Sequence, residues 1–179
     1  QQPYLYQYHN SKIHFLKNYP KLKEYLIKIR DNCPNHLFNN NESERCSKIK
    51  LNLNFKLKKK FNHACRLAEL ALQSADDSRK RHQILQKFML INDTATIAAE
   101  IPIHLNYNNQ LLTGHIDMLQ LKFNKLYVMD YKPEAIDEKQ AQSQIYLYAL
   151  ALSRLTNTPL KHFICAYFDN KNYFEFYPY

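Results

Sequence analysis

The first half of the chain carries apolar residues at helical spacing. Between residues 20 and 30 they recur at intervals of three and four with charged residues between them, which predicts an amphipathic helix. These apolar residues are Leu22, Tyr25, Leu26 and Ile29. Two more helices are predicted over residues 61–73 and 78–91, and the polar stretch 32–45 predicts a loop.

The pattern changes from helical to extended at about residue 99. Short turns are predicted at Asn108-Asn109 and Asn124-Lys125, because asparagine tolerates the positive φ of tight turns. One long helix is predicted over 137–155. The predicted strands are 100–107, 110–123, 126–132, 161–168 and 172–177. This order predicts an α/β (α+β) domain in which helices flank a mixed sheet.

The helical, lysine-rich start and the strand-rich remainder suggest a division of the chain. We predict a basic, helical N-terminal extension or subdomain over residues 1–60 and the main core over 61–179. No apolar run approaches the roughly 18 residues of a membrane span, so no membrane contact is expected. The chain does not begin with Met and could be a fragment. The role of residues 1–60 and the oligomeric state stay open.

Net charge and cysteine spacing narrow the choice of partner and compartment. The formal net charge is +9, which favours a polyanionic partner such as nucleic acid, although a generally basic proteome would give the same balance. None of the four cysteines forms a C-x-x-C pair, which argues against a zinc site. We therefore expect free thiols in a reducing, intracellular compartment.

Pairing the residues of the first predicted hairpin brings two acidic residues together. A turn on the first asparagine pair makes Tyr107 face Gln110, and the same register places Glu100 opposite Asp117. Directly opposed side chains in a sheet have Cβ atoms about 4.5–5.5 Å apart. The two carboxylates would therefore be neighbours.

The second predicted hairpin extends this row. A turn at Asn124-Lys125 places Asp117 opposite Lys132, and Asp130 shares their face. Carboxylates this close repel one another, and a divalent cation with oxygen ligands, Mg²⁺ or Mn²⁺, would resolve the conflict. The alternative is that the acids solvate an edge strand and that a one-residue bulge puts them on different faces.

Two further features point to the same region. The single glycine, Gly114, lies three residues before Asp117 and predicts either close approach by backbone or ligand, or a bulge. On the helix that follows the third strand, Gln140, Gln144 and Tyr148 form one stripe. A tyrosine in such a position is more often part of the core, and Gln140 could simply be exposed.

These segments resemble the nuclease motifs of the RecB-like branch of the PD-(D/E)XK superfamily. In that branch a G-x-x-D strand precedes a D-Y-K strand, and a helix with Q-x-x-x-Y follows. The matching positions are Glu100, Gly114-His115-Ile116-Asp117, Asp130-Tyr131-Lys132, Gln144 and Tyr148. The resemblance covers about a third of the chain, residues 99–155, and four motifs in order are more specific than any one. Residue 130 is Asp where Glu is commoner.

The resemblance implies a restriction-endonuclease-like fold and a metal-dependent nuclease. Mg²⁺ or Mn²⁺ would be held by oxygen ligands from Asp117, Asp130, the carbonyl of Tyr131 and, directly or through water, Glu100. Lys132 would orient the attacking water and neutralise charge on the phosphate. Gln144 and Tyr148 would position the DNA backbone or the lysine.

The family also carries a histidine on an upstream helix that can join the metal. His63 is the candidate we prefer, His82 is its rival, and a surface or capping histidine is the alternative. Some relatives, including CRISPR-associated exonucleases, bind an iron–sulfur cluster through one early cysteine and a close-set late group. Only Cys165 is late here, so no iron–sulfur cluster is expected.

The implied reaction is hydrolysis of phosphodiester bonds in nucleic acid, with DNA as the expected substrate. Basic residues could line its path, although solvated helix faces explain such runs just as often. They are Lys56, Lys58, Lys59, Lys60, Arg79 and Arg81. A catalytically inactive nucleic-acid-binding module on the same fold and an RNA endonuclease remain alternatives. Exo- or endonuclease action, strand preference and a helicase or repair partner are left open.

Overall fold

The structure, a computed structural model, describes residues 5–39, 41–73, 75–77 and 80–179. Within these ranges the chain forms an eight-stranded sheet with helices on both faces. The strands are β1 (Gln7–Tyr8), β2 (Glu44–Arg45), β3 (Lys58–Lys60), β4 (Thr96–Tyr107), β5 (Gln110–Lys122), β6 (Lys125–Tyr131), β7 (Phe163–Phe168) and β8 (Tyr173–Phe176). The helices are α1 (Pro20–Asp31), α2 (Asn35–Phe38), α3 (His63–Leu72), α4 (Arg81–Asn92) and α5 (Ala141–Thr156).

The sheet is mostly antiparallel. Its strand order is β1-β4-β5-β6-β7-β8-β3. The short strand β2 lies outside this order and pairs with Leu112 and Thr113 of β5. β6 and β7 are parallel and are joined through α5, whereas the β4–β5, β5–β6 and β7–β8 connections are hairpins. The predicted mixed sheet flanked by helices is therefore confirmed.

Both faces of the sheet are covered. α5 packs on β4 and β7, α1 packs on α5, and their apolar side chains share one core with the strands. On the opposite face α3 and α4 pack against each other, and their buried residues contact Met118 and Met129 of the sheet. α5 is apolar around most of its circumference because it lies between the sheet and α1.

The register of the first hairpin is as predicted. Tyr107 pairs with Gln110, and both turn asparagines have positive φ, as a two-residue turn of this kind requires. The pairs on either side of Glu100 and Asp117 keep the same register; they are Ile101 with Ile116 and Ala99 with Met118.

The register predicted for the second hairpin is wrong by two residues. The turn lies on Phe123-Asn124, one residue earlier than predicted, with φ values of 48° and 58°. The observed pairing therefore aligns Asp117 with Asp130 rather than with Lys132. Strand faces repeat every two residues, so this shift leaves Asp130 and Lys132 on the face predicted for them.

The other differences lie at element ends and in the first 60 residues. α3, α4 and α5 begin two to four residues later than predicted, and a short 3-10 turn precedes α5. The stretch 32–45, predicted as a loop, contains α2 and β2. The described part of residues 1–60 contains α1 and three short strands of the sheet, β1, β2 and β3. Strands this short carry no periodic signal in the sequence, so they were not predicted. A separate unit over residues 1–60 stays a prediction.

Lys12 holds the C-terminal end of α4. Its side chain is buried, and Nζ donates hydrogen bonds of 2.6 Å to the carbonyls of Leu90 and Asp93. Carbonyls in the last turn of a helix lack intrahelical donors, and a cation there is favourable. The contact helps to fix α4, which contributes to the site described below. No helix in the described part of the chain is long and apolar enough to cross a membrane.

Candidate active site

Glu100 lies where the regular pairing of β4 with β5 is interrupted. Its φ is 53°, in the left-handed region, which costs a non-glycine residue on the order of 1–3 kcal/mol. Ala98 and Ile101 pack in the same core although they are three residues apart, so the alternation of faces breaks at this point. The Glu100 carboxylate meets α4, where Gln86 Nε2 donates to it at 2.6 Å. Burial raises the pKa of Glu100 despite this hydrogen bond.

Asp117 is a buried carboxylate held by the backbone of the next strand. Its Oδ2 accepts a hydrogen bond of 2.9 Å from the Tyr131 N–H. Burial, together with the charges of Asp130 and Glu100, raises the pKa of Asp117 well above its usual value. A carboxyl in this environment needs a nearby positive charge to be stable in its ionised form.

A chain of polar contacts runs from Asp130 to helix α5. Lys132 Nζ lies 2.9 Å from Asp130 Oδ2 and donates at 2.8 Å to Gln144 Oε1. Gln144 Nε2 in turn donates at 2.8 Å to the Tyr148 hydroxyl. Burial lowers the pKa of Lys132, but the charge and hydrogen bond of Asp130, together with the charges of Asp117 and Glu138, outweigh it. The pKa is therefore raised, and the lysine carries its charge at neutral pH.

Gly114 is required by the close approach of Tyr148. A Cβ at this position would lie 2.4 Å from Tyr148 Cε1, too close for any side chain. β5 keeps its regular pairing with β4 here, so the alternative of a bulge at Gly114 is wrong. The close approach at Gly114 comes from a buried side-chain ring, whereas the sequence predicted an approach by backbone or ligand. The first residue of the predicted stripe, Gln140, is exposed at the start of α5.

Helix α4 brings two more polar side chains to the carboxylates. His82 Nε2 lies 3.1 Å from the Tyr131 carbonyl oxygen and 3.6 Å from Asp117 Oδ2. Gln86 is buried and donates to the Asp117 carbonyl at 3.3 Å as well as to Glu100. Gln86 was not predicted, although a glutamine among the apolar residues of a helix was a usable signal.

The structure places His63 away from this group. His63 is exposed at the first position of α3 and lines a depression with Lys122 and Phe123, at the tip of the β5–β6 hairpin. Five residues of β5 separate Asp117 from Lys122, roughly 16 Å of extended strand. Of the two histidines proposed from the sequence, His82 is the one that lies at the carboxylates.

Asp169 was also missed, and it holds the loop that follows Lys132. Its Oδ2 accepts from the Ala135 N–H at 2.9 Å, and its Oδ1 accepts from the N–H groups of Lys171 and Asn172. The Lys132 N–H donates to the neighbouring Phe168 carbonyl at 2.9 Å. The sequence gives no signal for this role, because an aspartate in a polar turn is common for local reasons.

The basic residues predicted to contact nucleic acid are dispersed. Lys58 and Lys59 lie over the rings of Tyr177 and Phe174, and Lys60 forms an ion pair with the buried carboxylate of Glu175. Arg81 lies beside the Tyr131 hydroxyl, next to the site. Lys56 is exposed, and Arg79 lies outside the described residues.

Strand β3, which consists of three lysines, ends at the same end of the sheet as the carboxylates. Tyr131 pairs with Phe168, Phe168 with Tyr173, and Tyr173 with Lys60. Three strand spacings separate Tyr131 from Lys60, roughly 14 Å. The edge strand β3 and the carboxylates of Asp117 and Asp130 therefore lie at one end of the sheet.

The donor set matches the chemistry of a hard divalent cation. Asp117 and the Tyr131 carbonyl both lie at His82, Asp130 contacts Lys132, and the charges of the two carboxylates interact. Oxygen donors of this kind suit Mg²⁺ or Mn²⁺. Lys132 contacts the Asp130 carboxylate, and His82 contacts that of Asp117. Among the described residues, no three acidic, His or Cys side chains are arranged so that they could hold a metal ion.

Comparison with known families agrees with this arrangement. A family model described as the PD-(D/E)XK nuclease superfamily matches residues 22–173, well over half of the chain. The match extends from α1 to the start of β8 and includes every residue of the polar group described above. A comparison with curated proteins finds no match. The chain belongs to the PD-(D/E)XK nuclease superfamily.

Proposed function

We propose that this protein is a Mg²⁺- or Mn²⁺-dependent nuclease that hydrolyses phosphodiester bonds of DNA at the Glu100, Asp117, Asp130 and Lys132 group. The observation that carries the proposal is the charged Lys132 beside Asp130 and the buried Asp117, whose ionised form needs a cation. Few structural roles require two buried carboxylates and an ammonium in one cluster.

The proposed metal ligands are Asp117, Asp130 and the Tyr131 carbonyl, with Glu100 direct or through water. We include His82 rather than His63, since only His82 reaches these oxygens. When bound, the cation would polarise the scissile phosphate and lower the pKa of a coordinated water. Gln86 fixes the Glu100 carboxylate and thereby limits where that side chain can point.

Lys132 is proposed to act as a fixed positive charge. Its raised pKa keeps it protonated at neutral pH, so it donates hydrogen bonds to water or phosphate and does not accept a proton. Gln144 and Tyr148 position the ammonium through consecutive hydrogen bonds. This helix-borne contact to the lysine is our reason for proposing the RecB-like branch of the superfamily.

A nucleic-acid substrate is proposed on electrostatic grounds, and DNA follows from the proposed RecB-like branch. The net charge of +9 favours a phosphate backbone, and the basic strand β3 lies at the same end of the sheet as the carboxylates. Charge does not distinguish DNA from RNA, so the experiment below includes both.

The test is digestion of single- and double-stranded DNA and RNA by the purified chain. We expect cleavage of DNA with Mg²⁺ or Mn²⁺, none in EDTA, and none by Asp117→Ala prepared in parallel. Equal degradation by Asp117→Ala would identify a contaminating nuclease and remove the enzyme proposal. Cleavage confined to RNA would favour the RNA endonuclease, and metal-independent binding without cleavage would favour the inactive module.

A thermal unfolding experiment tests the cation without relying on activity. The pKa of Asp117 is raised on folding, so its ionisation weakens the fold as pH rises from the unfolded value through the folded one. In EDTA at pH 8, Asp117→Asn should therefore raise the Tm, by about 3 °C or more, with the difference shrinking in acid. Mg²⁺ should raise the Tm of the wild type more than that of the variant.

The control for this experiment is Asp76→Asn, which changes an exposed aspartate outside the cluster. It should leave both the Tm and its response to Mg²⁺ unchanged. A lower Tm for Asp117→Asn in EDTA at pH 8 would show that the carboxylate stabilises the metal-free fold and would contradict the proposed charge conflict.

A further inference from the structure

A second polar cavity adjoins the proposed catalytic residues. It has a volume of about 450 Å³, within the range of small-ligand sites, and lies between Phe38, the stretch 41–48 and the β5 segment 113–115. The Tyr148 ring forms part of its wall. The Tyr148 hydroxyl is hydrogen-bonded to Gln144, which contacts Lys132, so Tyr148 links the cavity wall to the proposed catalytic residues.

The strand pairing leaves a gap from this cavity to Asp117. On one edge of β5, β2 pairs with Leu112 and Thr113, and β6 pairs with the stretch from Met118 to Lys122. Residues 114–117 of that edge lie between the two neighbours. From residue 113 to residue 117 an extended strand spans roughly 13 Å. A strand of nucleic acid cut at the carboxylates can therefore place a neighbouring nucleotide in the cavity.

The cavity offers an aromatic surface. The rings of Phe38 and His115 lie with centroids 5.1 Å apart and an angle of 50° between their planes. Phenylalanine and histidine rings are surfaces on which exposed nucleobases stack.

Cationic groups line the same cavity. Arg45 and Lys48 both line it, together with the half-buried Glu44, whose carboxylate lies 3.4 Å from Lys48 Nζ. An arginine guanidinium can bind a phosphate through two parallel hydrogen bonds. Aromatic rings beside an arginine form the combination that binds a base together with its phosphate.

We propose that this cavity binds an unpaired nucleotide next to the scissile phosphate, so that single-stranded nucleic acid or a frayed end is the preferred substrate. The proposal rests on the proposed nuclease function for the identity of the ligand. A base inside a duplex is stacked and paired and does not expose its face to such a cavity. The wall that supplies Phe38 and Arg45 comes from the α2–β2 segment, outside the motifs that carry the family resemblance.

The first test measures binding in EDTA, where no cleavage interferes. Fluorescence anisotropy would compare a labelled oligothymidylate, the same strand paired with oligoadenylate, and oligouridylate. Phe38→Leu should weaken binding of both single strands about five- to a hundredfold and leave duplex binding unchanged. Phe38→Tyr, which keeps a ring, should bind like the wild type. Arg45→Ala should weaken binding and lower its salt dependence by about one counterion.

Matched controls are Phe123→Leu, at an exposed hairpin tip, and Arg30→Ala, at the end of α1; both should bind like the wild type. With Mg²⁺, Phe38→Leu should raise KM for single strands with little change in kcat. Unchanged single-strand binding by Phe38→Leu and Arg45→Ala would overturn the cavity proposal while leaving nuclease activity intact. An equal loss of duplex binding would overturn it too. Cavity-dependent binding by a wild type that cleaves nothing would support the cavity and refute the hydrolysis.

Discussion

Lys132→Ala is expected to lower kcat for cleavage by about 10²–10³-fold. The Lys132 ammonium is held 2.9 Å from Asp130 Oδ2 and 2.8 Å from Gln144 Oε1, so it is already oriented toward the carboxylates. Fixed donors of this kind stabilise charge that develops in the transition state, and losing one costs about 10²–10³ in kcat. Alanine removes the charge without adding bulk. The measurement is single-turnover cleavage of a labelled oligonucleotide at saturating Mg²⁺.

The matched control is Lys139→Ala, which removes an exposed lysine a few residues further along. It should leave the single-turnover rate unchanged, because salt screens the charge of a solvent-exposed side chain. Oligonucleotide binding by Lys132→Ala in EDTA should remain within a few-fold of the wild type. A rate for Lys132→Ala within tenfold of the wild type would contradict a direct role for the ammonium.

Gly114→Ala is expected to lower both stability and activity, although the methyl group touches no proposed ligand. The new Cβ would lie 2.4 Å from Tyr148 Cε1 and 3.3 Å from Cδ1, and the ring is buried. Overpacking of this kind costs about 1–3 kcal/mol of unfolding free energy. Displacing Tyr148 also removes the partner of Gln144, which orients Lys132, so kcat should fall by about tenfold or more. Urea denaturation and single-turnover rates would measure the two effects.

A double variant separates packing from catalysis. Adding Tyr148→Leu to Gly114→Ala makes room for the methyl group, so much of the lost unfolding free energy should return. The rate should stay low, because the hydroxyl that holds Gln144 is gone. If Gly114→Ala alone matched the wild type in unfolding free energy and in cleavage rate, the proposed role of the Gly114–Tyr148 contact in stability and catalysis would be contradicted.

The acidic row could be predicted because it depends on strand alternation. The first hairpin register was correct since Asn108 and Asn109 are typical residues for a turn with positive φ. The second was wrong because Phe123, a residue that rarely adopts positive φ, occupies the turn with its side chain 97% exposed. The error was a full pleat repeat, so Asp130 and Lys132 keep the face predicted for them, whereas the alternation breaks at Glu100.

The contribution of α4 could not be predicted by the same means. Which residues of a helix meet a sheet depends on how the helix packs, and sequence spacing gives no register between the two. His63 and His82 were therefore indistinguishable in the sequence, and Gln86 was not considered. The irregular backbone at Glu100 was equally hidden, because a glutamate in the left-handed region has no sequence signature.

The ion pair between Lys132 and Asp130 makes the lysine a tethered counter-ion of the acidic group. If the proposed divalent cation binds this group, it would have to displace an ammonium from Asp130. Lys132 would then lose its contact with Asp130 while Gln144 keeps the ammonium in place. Binding of the cation and availability of the lysine to a substrate phosphate would therefore be coupled, which would protect the site from engaging substrate before it can react.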